Sequence, residues 1–126
     1  MAKSAQKTSY KNLIVYQKAK QLTIDVIKYF SKFKLPKTQE FLIIQLLRAI
    51  SSIGANIAEG YGRHYKKSYR QFLSIARGSA FEAEYWLEVV LEINIFDNKK
   101  LKEFDERTNE LVKILTTMMK KLEQST

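Results

Sequence analysis

Apolar residues recur every three or four positions through four long segments of this chain, and this spacing limits the fold more than any other feature. Such a recurrence places side chains on one face of an α-helix, whereas a half-buried strand needs strict alternation. No run of alternating apolar and polar residues is present, and the single proline, Pro36, falls between two of the segments. We therefore expect an all-α protein.

Breaks between the apolar segments predict four helices. The first spans about residues 13–33 and ends before the proline, which disfavours helical geometry in the residue preceding it. The second begins with Thr38 as its N-cap and ends near Gly60, and the third covers about residues 67–94. Asp97 caps the fourth. Connections of about four to seven residues favour antiparallel neighbours, so we predict an up-down-up-down four-helix bundle.

The spacing of apolar residues also predicts which faces are buried. In the third helix we expect burial of Tyr69, Leu73, Ala76, Ala80, Ala83, Leu87 and Val90. In the fourth we expect burial of Leu101, Phe104, Thr108, Leu111, Leu115, Met118 and Leu122. The second helix is apolar around most of its circumference, which suggests a central helix or a subunit interface. Within it, Gly54 is interpreted as a position of close helix packing.

The length of 126 residues suits one domain whose core needs no metal or disulfide. We assign residues 12–122 to the bundle, residues 1–11 to a flexible basic tail and residues 123–126 to a C-terminal tail. The chain contains no cysteine, which excludes disulfides and thiolate chemistry. Because the N-terminus lacks the apolar centre of a signal peptide, we expect a cytoplasmic protein.

A membrane-spanning helix is not expected. The most apolar stretch, residues 41–58, contains Gln45, Arg48 and Asn56 and is barely long enough to cross a bilayer. Binding to the surface of an anionic membrane stays open as a third alternative, but it would need the apolar surface of the second helix to be exposed.

Positive charge is concentrated in the first two thirds of the chain. The formal net charge is +9, with +12 in residues 1–80 and −3 in residues 81–126. This distribution favours a basic face, which attracts nucleic acid, an acidic membrane surface or an acidic protein. Charge alone does not choose among these partners.

The segment YGRHYKKSYRQF, residues 61–72, interleaves tyrosines with cations. Cationic side chains neutralise phosphates, and tyrosines stack on unpaired bases. The candidate nucleic-acid-binding residues are Arg63, Lys66, Lys67, Arg70 and Arg77. The alternative is a solvated face with Tyr69 in the core. Further along the same side of the third helix, Phe81 precedes Glu84 and Glu88, which is more typical of a subunit contact.

No set of residues typical of catalysis is present. Glu59 has no second carboxylate nearby, and the single histidine, His64, is separated from it by two glycines. One glutamate and one histidine make neither a hydrolytic nor a metal site. We therefore expect no enzymatic activity, no cofactor and no small-molecule substrate.

Three blocks of sequence resemble a known family. They are LIVYQKA (residues 13–19), QLLRAISSIGANIAEGYGR (residues 45–63) and FLSIARGSAFEAE (residues 72–84). Together they resemble the four-helix bundle proteins encoded in intervening sequences of bacterial 23S ribosomal RNA genes, a family that includes the accessory variability determinant of diversity-generating retroelements. Two departures are Gly54, where the family usually has proline, and Leu47, where it often has a basic residue.

The resemblance implies a ring-like homopentamer with a basic surface suited to RNA or DNA. In the retroelement members this surface works with a reverse transcriptase, which makes such an enzyme a candidate partner. The matching positions are Asn56, Glu59, Gly60 and Arg63 in one block and Phe72, Ala76, Gly78 and Ser79 in the other. We interpret most of them as packing and turn positions.

The leading hypothesis is a non-enzymatic, oligomeric helical bundle that binds RNA or DNA. Binding would be mainly electrostatic and weakly sequence-specific. Its association with ribosomal RNA or with a retroelement is left open by the sequence. The alternative is an oligomeric scaffold that docks an acidic protein partner.

Overall fold

Four α-helices follow a 3₁₀ turn in the computed structural model, which describes residues 9–63 and 65–124. The turn is Tyr10–Asn12, and the helices are α1 (Ile14–Phe30), α2 (Lys37–Tyr61), α3 (Lys66–Ile93) and α4 (Asn98–Gln124). No strand occurs among the described residues. α3 packs between α2 and α4, and α1 closes the bundle against both of these. The prediction of an all-α four-helix bundle is confirmed.

The start of α4 agrees with the sequence prediction, whereas the start of α2 does not. Asp97 caps α4: its Oδ1 accepts a hydrogen bond from the Lys99 N–H at 3.0 Å. α2 already begins at Lys37, with Pro36 in the N-cap position and no side-chain cap, so the assignment of Thr38 as N-cap was wrong. The carbonyl of Pro36 accepts hydrogen bonds from the N–H groups of Gln39 and Glu40, and proline's fixed φ suits the entry to a helix.

The end of α2 lies one residue beyond Gly60, close to the predicted end. The helix continues to Tyr61, and Gly62 is its C-cap residue with an ordinary right-handed backbone, φ −74°. Gly60 is buried within the last turn. The absence of a side chain at Gly60 therefore serves packing and does not end the helix.

The core follows the predicted seams closely in α3 and less closely elsewhere. From Leu73 to Val90, every expected seam residue of α3 is buried, while Tyr69 is half-buried. In α4 the seam passes through Met119 and leaves both Met118 and Leu122 half-buried. The buried polar residue Thr108 donates its hydroxyl to the Phe104 carbonyl at 2.8 Å, so its burial leaves no unpaired hydroxyl proton.

Two predictions on organisation stay untested. Residues 1–8 and 125–126, which form most of the predicted tails, lie outside the described residues. α2 is long and apolar enough to cross a membrane, and 39% of its most apolar stretch is buried in the subunit. A core helix passes the same test, so this is weak support for a span, and the expectation of no membrane stays a prediction.

Candidate nucleic-acid interface

The turn from α2 to α3 is fixed by contacts between the two family-like blocks. The guanidinium of Arg63 lies 2.8 Å from a carboxylate oxygen of Glu59 and 4.8 Å from the centre of the Phe72 ring. A Cβ on Gly60 would stand only 2.5 Å from the Cβ of Phe72. The last turn of α2 is thus pressed directly against α3, and Arg63 is engaged in holding this junction.

A small hydrogen-bond network joins the same two helices farther along. The amide of Asn56 donates to the Ser52 carbonyl at 2.8 Å and to the Ser52 hydroxyl at 2.9 Å. That hydroxyl lies 2.8 Å from the hydroxyl of Ser79 on α3. Asn56 and Ser79 therefore act in packing, and the neighbouring Ala76 is fully buried. Gly78 differs, because it is exposed and an added Cβ would meet no atom within 4 Å.

The first turn of α3 combines two lysines with an N-cap residue, Tyr65, that provides no side-chain cap. Lys66 and Lys67 are exposed, and the first turn contains no acidic residue. Tyr65 is in the N-cap position with extended backbone and makes no side-chain cap hydrogen bond. Cations at this end oppose the helix dipole at a cost of about 0.3–1 kcal/mol each. A sequence that breaks a local rule in this way is typical of a functional site.

Arg70 and Arg77 are directed towards α4. Arg70 forms an ion pair of 2.7 Å with Glu123, and its Nε is buried without a hydrogen-bond partner among the described residues. Arg77 is half-buried and donates to the hydroxyl of Thr116 at 3.1 Å. The predicted stripe of five cations is therefore not uniform. Lys66, Lys67 and Arg70 line one shallow depression of about 360 Å³, whereas Arg63 and Arg77 lie outside it.

Two further cations, not found by the sequence analysis, lie on α4 farther along from Leu122 and Glu123, the α4 residues that line this depression. Lys113 and Lys120 are exposed and follow the same face of α4 as Thr116 and Glu123, the two residues that contact the α3 arginines. Because they are seven residues apart, Lys113 and Lys120 lie on one face of α4. This spacing, together with the predicted antiparallel pairing of α3 and α4, could have identified them from the sequence. The resulting α3–α4 basic surface consists of Lys66, Lys67, Arg70, Lys113 and Lys120.

The opposite end of the same face is acidic. Glu84, Glu88 and Asp105 line a depression there, and Asn109 donates to Glu84 at 3.1 Å. Burial, followed by the charges of Glu84, Glu88 and Glu106, raises the pKa of Asp105 above its ordinary value. The α3–α4 face is therefore divided into a basic half and an acidic half.

The tyrosines of the aromatic-basic segment have different surroundings. The rings of Tyr61 and Tyr69 pack edge to face with centroids 5.8 Å apart, and burial and the neighbouring Tyr61 raise the pKa of Tyr69. Tyr65 is 75% exposed beside the first turn of α3. Of these three rings, Tyr65 is the one available for stacking.

The described residues contain no group of three or more histidine or acidic side chains that could hold a metal ion. His64, which was considered in the sequence, lies outside the described residues. Glu59 is paired with Arg63, as expected from its structural interpretation.

Comparison with known proteins identifies the family. A family model described as 23S rRNA-intervening sequence protein matches residues 11–117. The fold is similar to the crystal structure of a protein of unknown function from the S23 ribosomal protein family of Bacteroides thetaiotaomicron, with a TM-score of 0.77 and 28% identity over 85% of this chain and 96% of that one. None of the curated proteins matches the chain. By the extent of the family match, the chain belongs to the 23S rRNA-intervening sequence proteins.

Proposed function

We propose that this protein is a non-enzymatic, oligomeric bundle that binds nucleic acid through the α3–α4 basic surface. The observation that carries the proposal is the first turn of α3, where Lys66 and Lys67 occupy a helix N-terminus to which Tyr65 provides no side-chain cap. The positive end of the helix dipole favours a phosphate at this position. The lysines add charge where a purely structural helix would place acidic residues.

Other features of the surface suit a polyanion. Arg70, Lys113 and Lys120 extend the cationic region from α3 onto α4, so successive phosphates of one strand would meet cations from two helices. Tyr65 beside them offers a ring to an unpaired base. No groove-reading helix or base-specific set of side chains is involved in this proposal, so binding would depend on charge more than on sequence.

RNA is the first ligand to test, because the family is described by its link to 23S rRNA intervening sequences. DNA, and a retroelement context with a reverse transcriptase as partner, are the second choice, and they rest on the resemblance alone. The same resemblance supplies the number of five subunits. Cytoplasmic localisation completes the proposal.

The test is a titration of nucleic-acid-free protein with labelled single-stranded and duplex RNA and DNA at several salt concentrations. One variant replaces Lys66, Lys67, Lys113 and Lys120 by alanine. A matched variant replaces four exposed lysines at the other end of the bundle: Lys34, Lys37, Lys99 and Lys102. Both variants lose four positive charges. Any difference in their affinity for nucleic acid therefore depends on where the lysines lie in the bundle.

For duplex ligand we expect the first variant to lose about three units of slope in log affinity against log salt, since each phosphate contact contributes about 0.9. The matched variant should lose much less. Equal losses in the two variants would contradict the location of the site. Absence of binding at low salt would reject the nucleic-acid proposal and favour the scaffold for an acidic protein.

A further inference from the structure

α2 leaves much of its apolar surface uncovered on the side of α1. A groove of about 240 Å³ follows this side and is lined by Tyr16, Lys20, Ile24, Ser51, Ala55 and Ala58, among others. Small side chains on α2 form its floor, and α1 forms its wall. We refer to it as the α1–α2 groove. It continues towards the partly exposed Ile27 and Ile44, which line a second apolar depression.

α3 carries an apolar projection on its solvent side. Phe81 and Tyr85 are 52% and 56% exposed, and their spacing of four residues places them on one helix face. The Tyr85 ring is supported edge to face by Trp86, with centroids 4.9 Å apart. Gly78, one turn before Phe81, leaves the helix surface flat. These residues, with the exposed Glu88 and Glu92, form what we call the α3 ridge.

We propose that the α3 ridge of one subunit seats in the α1–α2 groove of a second copy of this chain. Two exposed aromatic rings match a groove floored by serine and alanine, and both surfaces would lose apolar area to water. Their charges are also complementary. Lys20 lines the groove and Lys28 is exposed about two turns farther along α1, whereas the ridge carries Glu88 and Glu92.

The two surfaces are different, so the contact is head to tail. Such a contact gives a closed ring when the rotation between subunits closes, and an open chain when it does not. The competing arrangement pairs two α3 helices about a two-fold axis near Gly78. That pairing also matches opposite charges, but it would cover Lys66 and Lys67 and leave the α1–α2 groove exposed to water.

This inference deepens the oligomeric part of the proposed function and shares no residue with the α3–α4 basic surface. Its test uses one variant of each surface. Tyr85→Asp disrupts the ridge of a subunit and leaves its groove intact. Ala55→Glu fills the groove and adds a charge that repels the ridge of a second subunit, but it leaves the variant's own ridge intact. Ile14→Asp is the matched control, because Ile14 is exposed, apolar and outside both surfaces.

Sedimentation at several protein concentrations gives the outcome. Wild type and Ile14→Asp should assemble, and each interface variant alone should sediment as a subunit of 14.8 kDa. A 1:1 mixture of the two variants should reach twice that mass and stop there, because one intact ridge meets one intact groove. Helical circular dichroism equal to that of wild type establishes that each variant is folded, and Phe81→Asp and Ser51→Glu replace any variant that is not.

A monomeric wild type, or an Ala55→Glu variant that assembles like wild type, would overturn the proposal. So would a mixture of the two interface variants that stays monomeric. The four-lysine variant of the basic surface separates this result from the nucleic-acid proposal. It should assemble like wild type whether or not it binds RNA, and its failure to assemble while folded would also contradict the assignment of ridge and groove.

Discussion

Gly60 in α2 lies against Phe72 in α3 so closely that the two helices leave no space for a side chain at position 60. An added Cβ would stand 2.5 Å from the Cβ of Phe72 and 3.3 Å from the ring of Tyr69. The nearest atom is the Cβ of Phe72, which is bonded to the backbone of α3. It cannot move away unless the backbone of α3 moves with it. The contact therefore sets the distance between α2 and α3 beside the basic surface.

The first prediction follows from this contact. Gly60→Ala should destabilise the protein by about 1–3 kcal/mol, the usual cost of overpacking, despite the higher helix propensity of alanine. Urea denaturation followed by circular dichroism measures the change. Phe72→Gly combined with Gly60→Ala should show strong non-additivity, because removing the Cβ of Phe72 gives the new methyl group room. Strict additivity would contradict the steric explanation.

The second prediction concerns the other buried glycine of α2. A Cβ on Gly54 would lie 3.6 Å from the Cβ of Ala19, which is an ordinary van der Waals contact. Gly54→Ala should therefore stabilise the bundle by up to about 1 kcal/mol through helix propensity. The same denaturation experiment applies, with Gly60→Ala as the variant of opposite sign. A loss of stability would mean that α1 and α2 approach more closely than described.

The third prediction separates stability from binding at the start of α3. Lys67→Glu should raise the free energy of unfolding by about 0.3–1 kcal/mol, because an acidic residue favours the helix N-terminus, and it should weaken RNA binding. Lys99→Glu is the control, since Lys99 occupies the same position in the first turn of α4. We expect a similar gain in stability there with little effect on binding. Equal weakening of RNA binding by both variants would contradict a role specific to α3.

The fourth prediction is a pH dependence in the acidic half of the α3–α4 face. The pKa of Asp105 is raised, so folding takes up protons and the stability contribution falls as the pH rises through the folded-state pKa. Asp105→Asn should therefore stabilise the protein at pH 7, by well under 1 kcal/mol because the group is partly solvated. The difference should vanish as the pH falls below 3.8, the ordinary value.

Asp25→Asn supplies a control of opposite sign. Burial alone would raise the pKa of Asp25, but hydrogen bonds from Gln21 and Arg107 and the nearby positive charges outweigh it, so the pKa is lowered. Arg107 lies 3.0 Å from this carboxylate. The variant should be less stable than wild type at pH 7, and the deficit should disappear as the pH falls through the lowered pKa. Melting temperatures across the pH range measure both differences.

Helix periodicity was sufficient to predict the class of fold and most of the core. It did not distinguish Met118 from Met119, because both lie within one turn of Leu115 and either continues the apolar seam. The N-cap of α2 was misassigned to Thr38, because a cap preference was given more weight than the fixed φ of Pro36. Gly60 was interpreted from the sequence as the end of α2. Only the packing against Phe72 shows why position 60 has no side chain.

The candidate site was less predictable for a geometric reason. A stripe along one helix can be derived from spacing, but the partners of its side chains lie on other helices. Arg70 and Arg77 contact Glu123 and Thr116, which are distant in sequence. The contribution of α4 to the basic surface likewise depends on which of its faces meets α3.

The division of α3 into two charged halves gives this helix an electric dipole along its axis. The first half carries Lys66, Lys67, Arg70 and Arg77 without any acid, and the second carries Glu82, Glu84, Glu88 and Glu92 without any base. The helix is about 40 Å long, and its own backbone dipole points the same way. A polyanion approaching the α3 face within the screening distance of about 8 Å at physiological salt would therefore be drawn towards the first half of the helix. Encounters that begin on the acidic half of this face would be repelled, so the point of contact on α3 is selected during the approach itself.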